Sequence, residues 1–221
     1  MKKINVAIDG PAGAGKSSIS KAVAAKLGCI YVDTGAMYRA CALYAIENGI
    51  NIDAVSLESH LDEIKVEIKY NEDGQRIILN GKDVSTRIRE ADVSIGASDI
   101  AVIPSVRLKL VELQREMADK NSVVMDGRDI GTYVLPNAEV KIFLTASIDE
   151  RARRRLAELE QKGTVTDFES VKKDMAYRDK NDSEREFAPL RQADDAVLLD
   201  TTELSFDEVV CKVMEIVESH S

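Results

Sequence analysis

Apolar and polar positions follow two rhythms along this chain, and the switches between them mark its elements. Ile4 to Ile8 is a short run with a β-branched majority, closed by Asp9, which predicts a buried strand. Ile19, Val23 and Leu27 then recur at helical spacing over residues 17–27, and Gly28 stops the helix. Ile30-Tyr31-Val32, ending in Asp33, predicts a second strand. Thr34 and Gly35 turn into a helix to about Glu47, with Met37, Ala40, Cys41, Tyr44 and Ala45 on its apolar side and Asn48-Gly49 as the stop. Two strand–turn–helix units in succession predict a parallel sheet covered by helices. Asp33, at a strand's carboxyl end, lies where such sheets bind ligands.

The rhythm breaks between 50 and 87. After a short helix expected over Ser56 to Leu61, residues 64–70 alternate apolar and charged with period two, Asn71-Glu72-Asp73-Gly74 turns, and residues 76–80 return. Val84 is expected to end a third short strand. This predicts an antiparallel ribbon with one wet face, inserted into the parallel scaffold. Helical pattern resumes near Val93, and Pro104 divides it into a helix ending about Ile103 and another over Ser105 to Ala118. Strands follow at Ser122 to Asp126, Val140 to Leu144 and Ala196 to Asp200. Between them, Ile148 to Gln161 is a helix expected to open on a Ser147/Glu150 capping box. Asp167 to about Phe187 is a charged helical stretch, and Leu204 to Val217 is a final amphipathic helix capped by Ser205.

Composition narrows the chemistry. The chain has 221 residues and a net charge of −9, which disfavours a nucleic acid polymer as partner. No apolar run approaches the roughly 20 residues of a membrane span, and Lys2 and Lys3 precede a run too short for a signal peptide. Cys29, Cys41 and Cys211 are widely spaced, as in a reduced cytosolic protein. With only His60 and His220, histidine catalysis and a multi-histidine metal site are not expected. The arginines are unevenly placed: seven of fourteen fall within residues 151–191, where eleven basic residues meet nine acids. Such an island suits a small polyanion, or is simply a solvated helix face.

One motif points to the polyanion. Gly10-Pro11-Ala12-Gly13-Ala14-Gly15-Lys16-Ser17 fits G-x-x-x-x-G-K-[ST] and stands between a predicted strand and a predicted helix. Its backbone N–H groups and the helix N-terminus suit a polyphosphate. Lys16 would reach the β- and γ-phosphates, and the Ser17 hydroxyl would ligate Mg²⁺. A phosphate loop alone admits kinases, GTPases and ATPase motors. The N-K-x-D of a GTPase is missing; Lys180-Asn181-Asp182 has the wrong order. A kinase with a small acceptor needs arginines on both phosphates and a lid against water, and the arginine island suits that role.

The chain resembles the bacterial cytidylate kinases, a family of nucleoside monophosphate kinases, over nearly its whole length. The likeness rests on the phosphate loop, on Asp33-Thr34-Gly35-Ala36-Met37-Tyr38-Arg39, on Asp126-Gly127-Arg128-Asp129-Ile130-Gly131-Thr132, on Lys141 to Leu144, and on Arg178-Asp179 through Arg185 with Ala188-Pro189-Leu190. It implies a three-layer α/β P-loop NTPase fold. That fold would have a five-stranded parallel core sheet, a small antiparallel β insert and an arginine-rich helical lid. It would form one domain over 1–221, with the nucleotide-binding insert about 36–103 and the lid about 151–187.

The implied reaction is transfer from ATP, with Mg²⁺, to CMP or dCMP. Lys16, Arg128, Arg155 and Arg178 would be catalytic, residues 10–18 including Ser18 would hold ATP, and Ser17 and Asp33 would serve the metal. Arg39 and Arg128 would hold the CMP phosphate, Ser98, Arg107, Asp129 and Arg185 would surround cytosine, Arg178 and Asp182 would approach the ribose, and Thr34 would also belong to the CMP site. Ser18 departs slightly from the threonine common in the family. Duller readings stand beside these roles: Arg39 as a surface residue, Arg107 paired with Asp99 or Glu112, Asp129 capping its own turn, Asp182 in a solvated ladder with Arg178 and Arg185. A different acceptor, UMP or a non-nucleotide, and a nucleotide-binding regulator without turnover are the alternatives in function. The expected protein is a cytoplasmic monomer with no membrane partner.

Overall fold

The computed structural model describes residues 3–71, 74–161 and 163–220. In chain order the elements are β1 (Asn5–Asp9), α1 (Lys16–Leu27), β2 (Ile30–Asp33), α2 (Thr34–Glu47), α3 (Ala54–Glu58), β3 (Val66–Asn71), β4 (Gly74–Leu79), β5 (Lys82–Asp83), α4 (Ala91–Ile100), α5 (Pro104–Lys120), β6 (Val123–Gly127), β7 (Val140–Thr145), α6 (Ile148–Gln161), α7 (Phe168–Glu184), β8 (Val197–Asp200) and α8 (Phe206–Ser219). They form two compact units, residues 1–31 with 121–221, and residues 32–120.

The parallel sheet, ordered β2-β6-β1-β7-β8, belongs to the first unit except for Val32 and Asp33 at the end of β2. β1 pairs with β6 on one side and β7 on the other, both parallel, with Ile8 opposite Asp126 and Ile142. Val6, Ile8, Val124 and Ile142 are buried together with Ile19 and Val23 of α1 and Val209, Val213 and Val217 of α8. The apolar stripe at i, i+4 and i+8 on each helix is what covers the sheet. α8 opens on a full capping box, Ser205 with Glu208.

The second unit is organised on α2. Nine of its residues, including Met37 and Ala40 to Ala45, are buried, so it is a core helix and not a surface one. α4 crosses it closely: a Cβ at Gly96 would lie 3.0 Å from the Ile52 side chain and 3.5 Å from Ala42. The antiparallel ribbon is β3-β4-β5, and Ile77 and Leu79 of β4 join the same core.

Most elements fall within two residues of their expected bounds. Glu72 and Asp73 of the expected hairpin turn lie outside the described residues, as does Lys2. Three details differ. The helix expected over Ser56 to Leu61 is Ala54–Glu58, set by Asp53, whose carboxylate caps Ser56 N. The third ribbon strand is Lys82–Asp83 and stops before Val84, which turns inward and is buried. The Ser147/Glu150 capping box is only half made. Ser147 Oγ accepts from Glu150 N, but Ser147 N donates to Thr202, and the Glu150 carboxylate is taken by Arg153 and Arg154.

Candidate active site

The phosphate loop joins β1 to α1 through backbone that side chains resist. Gly10, Gly13 and Gly15 have φ of 148°, 74° and 84°. A Cβ on Gly10 would lie 1.9 Å from the Leu144 carbonyl oxygen, and one on Gly13 would lie 2.2 Å from Met175 Cε. Pro11, Ala12 and Ala14 are buried, while Ser17 and Ser18 are exposed at the start of α1. Lys16 is only 5% exposed and its Nζ donates to the Pro11 carbonyl at 2.7 Å. Burial, aided by the neighbouring Arg128 charge, pulls its pKa down to about 7 against the attraction of Asp126, Asp182 and Asp9.

The Ser17 hydroxyl donates to Asp126 Oδ2 at 2.9 Å, and the Tyr31 hydroxyl donates to the other carboxylate oxygen at 2.9 Å. Sequence reasoning left Asp126 out of the site. Its position at the carboxyl end of β6, next to β1, was the available signal. Asp33, expected to serve the metal, caps α2 by accepting from Ala36 N at 2.8 Å. It also forms ion pairs with Arg39 at 3.0 Å and Arg89 at 3.7 Å. A hydroxyl and one carboxylate are hard oxygen donors of the kind that hold Mg²⁺ alongside phosphate oxygens. Among the described residues no three acids, histidines or cysteines cluster as a self-sufficient metal cage.

β6 ends at Gly127, and the chain continues through Arg128 and Asp129 to one wide turn over Ile130–Val134, in which Leu135 N donates to Ile130 O at 2.7 Å. Arg128 Nε donates to Asp182 Oδ2 of α7 at 2.6 Å, and Arg185 Nη2 donates to Asp129 Oδ1 at 3.0 Å. Burial works to raise the Asp182 pKa, but Arg128, Arg185 and Arg178 outweigh it and hold the carboxyl below the usual range. Arg128, Asp129, Arg178, Asp182 and Arg185 are therefore one charge network in the first unit, and Lys16 and Asp126 belong to it electrostatically. Asp182 is buried, not part of a solvated ladder, and Asp129 makes no side-chain cap on its own turn.

The arginines of α6 do not act as one face. Arg151 is buried and donates to Ala146 O, Ala12 O and Asp179 at 3.0, 3.0 and 2.7 Å, tying α6 and α7 to the phosphate loop. Arg154 bonds Glu150 and Thr201. Arg155, expected to be catalytic, pairs with Glu158 one turn on at 2.8 Å. Arg153 pairs with Glu150 and is exposed.

The second unit holds the other expected acceptor residues. Thr34 is buried at the start of α2, and Arg39 lies against Asp33. Arg39 Nε and Gln75 Nε2 are buried donors with no partner among the described residues, an excess of donors that favours an anion. Gln75 Oε1 accepts from Asp33 N at 3.1 Å. Ser98 is half-buried on α4. Arg107 is fully buried on α5, donates to Ala101 O at 3.0 Å and stacks over the Tyr38 ring at 5.4 Å.

A family model described as cytidylate kinase matches residues 6–219. A cytidylate kinase of Caldicellulosiruptor bescii is 52% identical over 217 residues, 98% of this chain and 96% of that protein. One from Lactobacillus johnsonii is 50% identical over 216 residues, 97% of this chain and 94% of that protein. Among solved structures, a shikimate kinase from Bacteroides thetaiotaomicron covers 97% of this chain and 98% of its own, with a TM-score of 0.50 and 15% identity, which speaks to the fold alone. Half of all positions shared over nearly the full length, with the phosphate loop and the Arg128–Asp182 network in place, leave one assignment: the chain belongs to the cytidylate kinase family.

Proposed function

We propose that this kinase moves the γ-phosphoryl group of ATP to CMP or dCMP, giving CDP or dCDP. The observation that carries the reading is the network joining buried Lys16 to Arg128–Asp182 and Arg185–Asp129. It concentrates cations at the end of the phosphate loop, where charge is redistributed during transfer, and it needs no histidine. The CMP phosphate oxygen is itself the nucleophile, so these residues position and neutralise; they do not form a covalent intermediate. Lys16 would follow the β/γ oxygens, Arg39 and Arg128 would hold the acceptor phosphate, and Arg178 would reach the transferring group. Ser17 with Asp126, in place of Asp33, would hold Mg²⁺, which supplies charge neutralisation on the phosphates when bound. Ser98, Arg107, Asp129 and Arg185 would complement cytosine, whose edge offers an amino donor and ring acceptors.

The test is ADP release coupled to a reporter, with CMP, dCMP, UMP, AMP and GMP as acceptors. CMP or dCMP should turn over fastest. Purine monophosphates should be poorer by ~10⁴-fold, since the wrong base leaves buried polar groups unpaired. AMP or GMP turning over faster than CMP refutes the cytidylate reading.

A further inference from the structure

Asp9 is the last residue of β1 and 5% exposed. Its carboxylate bonds across to the turn that leaves the neighbouring strand. Oδ1 accepts from Ile130 N at 2.8 Å and Oδ2 from Gly131 N at 2.7 Å. These are the first two N–H groups of the wide turn after Asp129, and no partner inside the turn can accept from them. An Asp at the cap position ordinarily takes that work itself. Asp129 stands at that position and makes no cap bond; its carboxylate meets Arg185 at 3.0 Å.

We infer that Asp9 is a positioning residue for acceptor recognition: it caps the 130–134 turn from the adjacent strand, so that the Asp129 carboxylate does not cap that turn and instead faces Arg185 and the acceptor base. This rests on the proposed cytidylate activity and deepens it. The carboxylate is suited to the task because it offers two acceptors to two converging donors, on the positive end of a helical turn. The substitution Asp9→Asn keeps the shape but has one acceptor oxygen and one NH₂ group, so one backbone N–H loses its partner. Asp129 is the nearest group able to replace it. Capping Gly131 or Thr132 N–H would draw Asp129 off Arg185 and misdirect the pair that reads cytosine.

The experiment measures kcat and KM for CMP, UMP and ATP in wild type, Asp9→Asn, Asp129→Asn and the double variant. Asp9→Asn should raise KM for CMP and cut the CMP-over-UMP preference by ~10-fold or more, the usual weight of one bond to a charged group. KM for ATP should rise less than KM for CMP, because both Asp9 hydrogen bonds run to the 130–134 turn and only its charge is felt by Lys16. In the Asp129→Asn background the same change should cost little more, since the group it protects is gone. Gly131→Ala approaches the same bond from the other side and serves if Asp9→Asn does not fold. Its Cβ would lie 3.4 Å from Asp9 Oδ2 and 3.2 Å from Lys141 Cδ, so it should reduce the preference in the same direction and less. A preference unchanged in these variants, costs that add in the double variant, or a rise shared equally by CMP and ATP overturns the inference. Wild-type enzyme that leaves CMP untouched overturns the underlying activity instead.

Discussion

Gly13→Ala tests whether α7 rests directly on the phosphate loop. At φ of 74° an alanine is held in the left-handed region, which costs ~1–2 kcal/mol. Its Cβ would also meet Met175 Cε at 2.2 Å, with Arg151 Cβ and O at 3.2 Å. Met175 is 3% exposed and packed with Ala152 and Val171, so it cannot step aside freely. Overpacking of this kind adds ~1–3 kcal/mol. The sum, about 2–5 kcal/mol, lowers Tm by roughly 4–20 °C in a chain of this length. The decisive measurement is a cycle by urea unfolding with Met175→Ala, itself costing ~2–5 kcal/mol through the cavity it leaves. In that background Gly13→Ala should retain its backbone strain and lose most of the clash, leaving a favourable coupling of about 1–3 kcal/mol. Equal costs of Gly13→Ala in both backgrounds, within about 0.5 kcal/mol, refute the contact and the view that the charged helix closes on the loop through Met175.

Four further outcomes follow from the site. Lys16 sits near pKa 7 because it is buried, so at pH 8 it is largely neutral until phosphate favours the ammonium; ATP binding at pH 8 should draw in a proton, and the uptake should fade below pH 7, where the lysine is already charged. Calorimetry in buffers of different ionisation enthalpy reads this, Lys16→Met should abolish it, and no uptake at pH 8 contradicts the assignment. Arg151→Ala should destabilise by about 3 kcal/mol, since it strips the partner from Asp179 and from the loop carbonyl. Arg155→Ala, which breaks only a surface pair with Glu158, should leave stability within about 0.5 kcal/mol and act on kcat alone if it reaches the transferring group. Asp126→Asn should raise the Mg²⁺ concentration needed for half-maximal turnover by ~10-fold or more, whereas Asp33→Asn should alter KM for CMP by releasing Arg39. The opposite pattern would return the metal to Asp33.

How much of this was legible in the chain divides along a physical line. Local rules and one motif carried the elements, the parallel sheet, the ribbon and the phosphate loop, because side-chain periodicity and glycine conformations act within a few residues. The likeness to cytidylate kinases carried the site residues the same way, as segments. The partners could not be read along the chain. Ser17 meets Asp126 across 109 positions, Asp9 meets Ile130 across 121, and Arg128 meets Asp182 across 54. Strand order decides such pairs: β1 lies between β6 and β7, so the acid closing β1 faces the turn leaving β6. The same holds for the arginines of α6. Arg151, Arg154 and Arg155 are three and four residues apart on one helix, but burial against the loop singled out Arg151, and Glu158 took Arg155. Charge identity was written in the sequence; which charges lose their water and find each other was settled only when the helices packed.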